Sequence, residues 1–215
     1  MNSPVSLPLF QSRVVPVIVV TDPAQAVPMA EALLAGGVDV MEITLRSAAG
    51  LAAIEAVARA VPEMQVGAGT VTRASEVAQV LAAGARFGLS PGSTPELLAA
   101  VLAAGLPFVP GVASPSEAMA ARAARFTLMK CFPAAQLGGV EVLKAWGGPL
   151  PDLRFCPTGG VSLANMGSFL ALPNVAMVGG SWLTPAAAVK AGDWAQITRL
   201  AREATDAVAA LQASR

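Results

Sequence analysis

The chain has 215 residues, of which 54% are apolar and 13% charged, and its 14 basic and 14 acidic side chains cancel. That much apolar mass builds a sizeable core and excludes a disordered chain, while the missing basic surplus excludes a nucleic-acid binder and a polybasic membrane anchor. So little charge would leave greasy surface on a monomer, which predicts a homo-oligomer.

The opening stretch, MNSPVSLPLFQSR, lacks the basic start and apolar core of a signal peptide. The first apolar run, from Val14 to Val20, is too short to cross a bilayer and contains Pro16. A cytoplasmic protein with no membrane partner is expected, and residues 1–12 read as an arm or a short helix.

From there the chain repeats one unit. Apolar runs occur at RVVPVIVV (13–20), VDVMEIT (38–44), MQVGAGT (64–70), RFGLS (86–90), PFVPGV (107–112), FTLMK (126–130), RFCPTGG (154–160) and VAMVGGS (175–181). They are mostly continuous rather than alternating, which marks strands covered on both faces, hence a parallel sheet. Helix starts lie between them. Asp22, Thr94 and Ser114 each precede a first-turn proline, and Gln25 and Glu117 stand three residues after their caps, as in a capping box. Helix stops recur as LLAGG (33–37), LAAGA (81–85) and LAAGL (102–106). The segment 118–125 is so rich in alanine that its helix is poorly specified. The last helix opens at Asp193 and sets Trp194, Ile197, Leu200, Ala204, Val208 and Leu211 on one face, opposite Arg199, Arg202, Glu203 and Asp206.

Eight units in this length give about 27 residues each, close to the minimum for a βα repeat. Two architectures fit, a (β/α)8 TIM barrel and a doubly wound open sheet. The unit count and the glycines near the C-terminus favour the barrel, as one domain over residues 1–215. No dinucleotide fingerprint follows the first strand and no P-loop lysine motif occurs.

The composition also removes chemistries. The chain has no His and no Tyr, which excludes His-based nucleophile pairs, His general bases and His-ligated metals. Cys131 and Cys156 form no metal-binding pattern, and a disulfide between them is not expected. No metal and no cofactor is called for.

In a barrel the active site lies at the C-terminal ends of the strands. Lys130 closes the sixth run, whereas Lys144 and Lys190 fall in segments that read as surface helix. If Lys130 points inward with Phe126 and Leu128, its charged form is disfavoured and a free amine becomes a nucleophile. The alternative is a strand-end lysine reaching into water. Glu42 sits inside the second strand on one face with Thr44 and Arg46. A carboxylate there is either half of a Glu42–Arg46 ion pair or a general acid/base, with the arginine gripping a substrate carboxylate. Thr70 ends the third strand after Gly67-Ala68-Gly69, at a place where a ligand can approach the backbone or where a turn begins. Runs seven and eight end in Thr158-Gly159-Gly160 and Gly179-Gly180-Ser181, and paired glycines in two successive βα loops suit a phosphate cradle. Together these parts describe cleavage of a phosphorylated 2-keto-4-hydroxy acid through a Schiff base. A metal-dependent aldolase needs ligands that are missing.

The segments VVPVIVV, MEITLR, VGAGTV, GLSPG, VPGV, KCFPA, RFCPTGGVS and VGGSWL, in order from about Arg13 to Leu211, resemble the 2-keto-3-deoxy-6-phosphogluconate (KDPG) aldolases of the Entner–Doudoroff pathway. The resemblance implies a class I aldolase with a (β/α)8 barrel, a homotrimer, yielding pyruvate and glyceraldehyde 3-phosphate. It implies that Lys130 forms the Schiff base, that Glu42 is the general acid/base and that Arg46 and Thr70 hold the pyruvyl carboxylate. Pro91 and Phe132 then line the pyruvate pocket, and Thr158, Gly159, Gly160, Gly179, Gly180 and Ser181 receive the distal part and its phosphate. Cys131 departs from the aromatic or apolar residue common at that position, and is expected to face away from the site with little effect. The same family includes enzymes preferring 4-hydroxy-2-oxoglutarate, and related ones cleave the 6-phosphogalactonate epimer. A pyridoxal-phosphate barrel and a non-catalytic sugar-phosphate-binding barrel are the remote alternatives.

Overall fold

The structure is a computed structural model that describes residues 10–213. Most of the expected N-terminal arm, residues 1–9, lies outside the described residues. Residues 10–12 are not helical: the backbone N–H groups of Gln11 and Ser12 donate to the Asp39 carboxylate at 2.7 and 2.9 Å. Phe10 is buried with its ring 5.5 Å from that of Phe87.

Strands and helices alternate along the chain. The first half runs β1 (Val14–Ile18), α1 (Ala26–Ala35), β2 (Val40–Thr44), α2 (Gly50–Ala60), β3 (Gln65–Gly69), α3 (Ala74–Ala82), β4 (Phe87–Leu89) and α4 (Pro95–Ala104). The second half runs β5 (Phe108–Val109), β6 (Gly111–Val112), α5 (Pro115–Ala123), β7 (Leu128–Cys131), α6 (Gly139–Gly147), β8 (Arg154–Pro157), α7 (Met166–Leu170), β9 (Val178–Gly180), α8 (Ala186–Ala191) and α9 (Trp194–Ala213). All pairings are parallel. Every residue of β1 and β2 is buried, as expected for continuous apolar strands covered by helices.

The strands form two sheets, one ordered β5-β4-β3-β2-β1-β9 and one ordered β6-β7-β8. The apolar run PFVPGV, expected to form one strand, does not. It forms two, split at Pro110, whose nitrogen has no hydrogen to give to a ladder. Two side chains staple the split: Ser90 Oγ accepts from Gly111 N at 3.1 Å and Ser93 Oγ donates to Gly111 O at 2.9 Å. Isolated parallel bridges join Phe155 to Val175 and Thr158 to Gly179.

The predicted helix boundaries hold in their chemistry. Asp22, Thr94, Ser114 and Asp193 each accept a backbone N–H of the following first turn. Gly37, Gly84 and Gly105 take positive φ at the predicted stops, a conformation a β-carbon disfavours. The alanine-rich segment does form a helix, α5, because Ala118 and Ala121 are buried under it and Ser114 caps it. α9 is amphipathic as read, and docks on α1: Thr198 and Thr205 donate to the carbonyls of Ala32 and Gly36.

Gln25 corrects one reading. Its side chain closes no capping box, and its Oε1 is buried with no hydrogen-bond partner. The Asp22 carboxylate caps a single 3-10 turn (Pro23–Gln25), so Gln25 is released to face elsewhere.

Candidate active site

A cavity of about 1060 Å³ opens at the C-terminal ends of the strands. The loops that follow the strands supply its wall. Arg46 comes from the segment after β2, Thr70 from the end of β3 and Pro91 from the segment after β4. Lys130 and Phe132 come from β7 and its end. Thr158, Gly159 and Gly160 follow β8, and Gly180 and Ser181 lie at the end of β9. The structure thus gathers on one wall residues that lie more than a hundred positions apart in the chain.

Lys130 is almost wholly buried: it is 4% exposed, and its Nζ lies 2.9 Å from Oε1 of Glu42, which is 1% exposed. Oε2 of Glu42 has no hydrogen-bond partner. The sequence offered Arg46 as the partner of Glu42. The observed partner is Lys130, 88 residues away, and Arg46 is exposed on the cavity wall instead. Nor is the well around Lys130 purely apolar, because the Glu42 carboxylate forms part of it. A buried pair of this kind tolerates burial because the two charges cancel at contact distance, while loss of either partner strands the other in a low dielectric. Lys130 is held at two more points. Its backbone N–H donates to Pro110 O at 2.8 Å, at the split between β5 and β6. Its Nζ also stands 5.6 Å from the centre of the Phe132 ring, within cation–π range.

Glu42 is positioned by its neighbour strand. β2 and β3 pair in register, with Thr44 opposite Gly69, and a β-carbon on Gly69 would run into Oε1 of Glu42. Gly69→Ala is therefore expected to push the carboxylate off Lys130 and lower kcat at least tenfold while the protein stays folded. Steady-state kinetics with circular dichroism checks this. Thr70, the next residue, has φ +61°. A β-branched residue in that region is strained, and such strain collects where a side chain must be aimed at a ligand.

The glycines divide into two roles. Gly159 and Gly160 have φ of +95° and +76° and expose bare backbone to the cavity. Gly180 and Ser181 also line it. Gly179 does not: a β-carbon there would strike the Thr158 side chain, so it makes room behind Thr158 rather than facing a ligand. Thr158 is buried, and its hydroxyl donates to Cys156 O at 3.4 Å.

Both cysteines are free and fully buried. Cys131 lies in the core cluster and is absent from the cavity wall, as expected from its alternation with Lys130. Burial pushes its thiol up to about 11 and that of Cys156 up to about 12. Both thiols stay protonated and hidden at neutral pH, so a disulfide reagent is expected to label neither in the folded protein and both in urea.

Four polar residues on the wall escaped the sequence reading: Thr21, Gln25, Thr184 and Lys190. Gln25 carried a capping signal, and Lys190 sat in a segment that reads as solvent-facing helix. Nothing local marks either as a cavity residue. The ionisable side chains on the wall, Arg46, Lys130 and Lys190, are all cations, in a chain with no net charge. With Lys130 matched by Glu42, Arg46 and Lys190 leave the wall with an excess of positive charge.

A family profile described as KDPG and KHG aldolase matches residues 6–200. A 2-dehydro-3-deoxy-phosphogluconate aldolase from Pseudoalteromonas atlantica is 51% identical over 201 residues, 94% of each chain. The KHG/KDPG aldolase of Escherichia coli K12 is 51% identical over 198 residues, covering 92% of this chain and 93% of its own. Among solved structures, a KDPG aldolase from Legionella pneumophila, with pyruvate captured at low pH as a covalent carbinolamine, superposes with a TM-score of 0.87. It is 46% identical and the match covers 89% of this chain and 93% of that one. On these matches, the chain belongs to the KDPG and KHG aldolase family.

Proposed function

We propose that this protein is a class I aldolase that cleaves 2-dehydro-3-deoxy-6-phosphogluconate to pyruvate and glyceraldehyde 3-phosphate. The observation that carries the reading is the buried 2.9 Å contact between Lys130 Nζ and Glu42 Oε1, set beside a cavity whose wall also carries the cations Arg46 and Lys190. The Legionella relative, captured with a carbinolamine of pyruvate, supports an amine that adds to a keto-acid carbonyl.

The steps balance with side chains and water. Nζ of Lys130, having passed its extra proton to Glu42, adds to the C2 carbonyl carbon. Glu42 returns that proton to the carbonyl oxygen, which leaves as water, so the products are a protonated imine and a Glu42 carboxylate free to act as a base. Glu42 then takes the proton of the C4 hydroxyl, directly or through one water, and the C3–C4 bond breaks. Its electron pair moves into the imine and gives an enamine, while C4 leaves as the aldehyde of glyceraldehyde 3-phosphate. Protonation at C3 restores the imine, and hydrolysis releases pyruvate and the free amine. No cofactor enters the cycle. Arg46 grips the pyruvyl carboxylate with help from Thr70, and Pro91 and Phe132 shape the pyruvyl pocket. Thr158 and the cradle of Gly159, Gly160, Gly180 and Ser181 receive the distal end and its phosphate, while Gly179 supports the cradle from behind.

The same reading takes the two sheets as arcs of one closed (β/α)8 barrel and the chain as a single domain. Support comes from the direct run of chain from β5 through Pro110 to β6, and from the bridges between the ends of β8 and β9. One buried apolar cluster also extends from Phe10 to Ala204. The low charge content and the family resemblance support a homotrimer. A phosphorylated keto acid does not diffuse through membranes, which suits a cytoplasmic enzyme. Among the described residues no helix is long and apolar enough to span a membrane.

Kinetics with the three candidate substrates test the assignment. The 6-phosphogluconate derivative is expected to give the highest kcat/KM, ahead of 4-hydroxy-2-oxoglutarate and the galactonate epimer. A tenfold or greater preference for 4-hydroxy-2-oxoglutarate would reassign the enzyme within its family.

A further inference from the structure

The cavity extends beyond the cradle along α8. Ala186, Val189 and Lys190 all line it, at the i, i+3, i+4 spacing of one helical face, while Ala188 on another face is buried in the core. Lys190 therefore belongs to the cavity although its side chain is exposed, and it lies in the last turn of α8, on the chain that continues from Ser181.

Its charge is not spent within the protein. Among the described residues no carboxylate lies within 4.0 Å of Lys190, whereas Lys130 is matched by Glu42. Two unmatched cations remain on the wall, Arg46 after β2 and Lys190 after β9. β1 lies between those two strands in the sheet, so the cations occupy separate stations around the cavity. A ligand with an anion at each end satisfies both. With a carboxylate at Arg46, the charge left for Lys190 is the distal one. A lysine offers a compact point charge on a flexible stem, which can reach a phosphate seated on backbone N–H groups without the planar fit an arginine requires.

We infer that Lys190 is a specificity-determining residue that contacts the terminal phosphate of the substrate from the outer lip of the cavity. This rests on the aldolase reading above, and deepens it by naming a cation for the distal anion. Lys190 selects phosphorylated over unphosphorylated keto acids and takes no part in the bond-making steps.

The test compares the phosphorylated substrate with its unphosphorylated counterpart, 2-keto-3-deoxygluconate, in the full-length protein. Lys190→Met is expected to raise KM for the phosphorylated substrate about tenfold with kcat within about twofold, the size of losing one charge-assisted contact. The ratio of kcat/KM between the two substrates should then fall by a similar factor. Lys190→Arg should recover most of that loss, and Lys144→Met, on the exposed face of α6, should leave the ratio where it was. Calorimetry with glycerol 3-phosphate gives a readout without turnover: Lys190→Met should weaken its binding about tenfold. An unchanged affinity and an unchanged substrate ratio would overturn the role of Lys190. A wild-type protein that cleaves neither substrate would overturn the aldolase reading instead, and the calorimetric result would still decide whether Lys190 binds phosphate.

Discussion

Lys130→Met is expected to abolish turnover, with kcat/KM falling by a factor on the order of 10⁶, as removal of a covalent nucleophile does elsewhere. The loss has a structural companion. Without the ammonium, the Glu42 carboxylate stays 1% exposed with no counter-charge, and breaking a buried pair in this way costs about 3–5 kcal/mol. For a chain of this size that corresponds to a fall in Tm of roughly 6–20 °C. A second variant separates the two effects. Combining Lys130→Met with Glu42→Gln removes both charges, so stability should return toward wild type while activity does not. If the double variant regained activity, or if Lys130→Met alone kept it, Lys130 would not be the nucleophile.

Glu42→Gln keeps the shape of the side chain and removes its ability to carry a proton. It is expected to lower kcat by ~10²–10⁴, the usual contribution of a positioned acid/base. Adduct formation with pyruvate should be slowed but not lost, because the nucleophile remains. That combination distinguishes proton transfer from mere charge balance. A carboxylate present only to neutralise Lys130 would leave kcat nearly intact once the protein had folded, and an unchanged kcat would reassign Glu42 to a structural role.

Much of this site can be read from the chain because strand ends carry it. Lys130 stands out as the one lysine that closes an apolar run, and the glycine pairs just after β8 and at the end of β9 announce bare backbone where loops begin. The partner of Glu42 was not legible. Local spacing offers Arg46, four residues on, whereas Lys130 reaches it from across the interior, and no periodicity along one strand records a contact over 88 positions. Gly179 looked like part of the cradle because it is one of a pair. Only the packing of Thr158 against it shows that the first glycine of the pair makes space and the second lines the wall. Thr70 was legible as a strand end but not as a strained one, since its positive φ is set by tertiary contacts and not by its own preference.

The fold was legible to the level of parallel strands alternating with helices, because burial on both faces writes continuous apolar runs into the sequence. The split of the fifth run at Pro110 was visible as a proline but not as a boundary between sheets. Gln25 and Lys190 escaped for a related reason. Each lies in a segment whose local signal, a helix cap or a surface helix, is real. Which way the side chain faces is decided by where the neighbouring loops bring the cavity, and neither residue type encodes that.

Every step of the proposed cycle requires that the amine of Lys130 captures the substrate carbonyl. Borohydride reduction in the presence of pyruvate, followed by peptide mass spectrometry of the intact wild-type enzyme, tests it most directly. The expected result is a reduced pyruvyl adduct on Lys130, with Lys144 and Lys190 unmodified. An adduct on either of those lysines, or none on Lys130 in an active preparation, would contradict it.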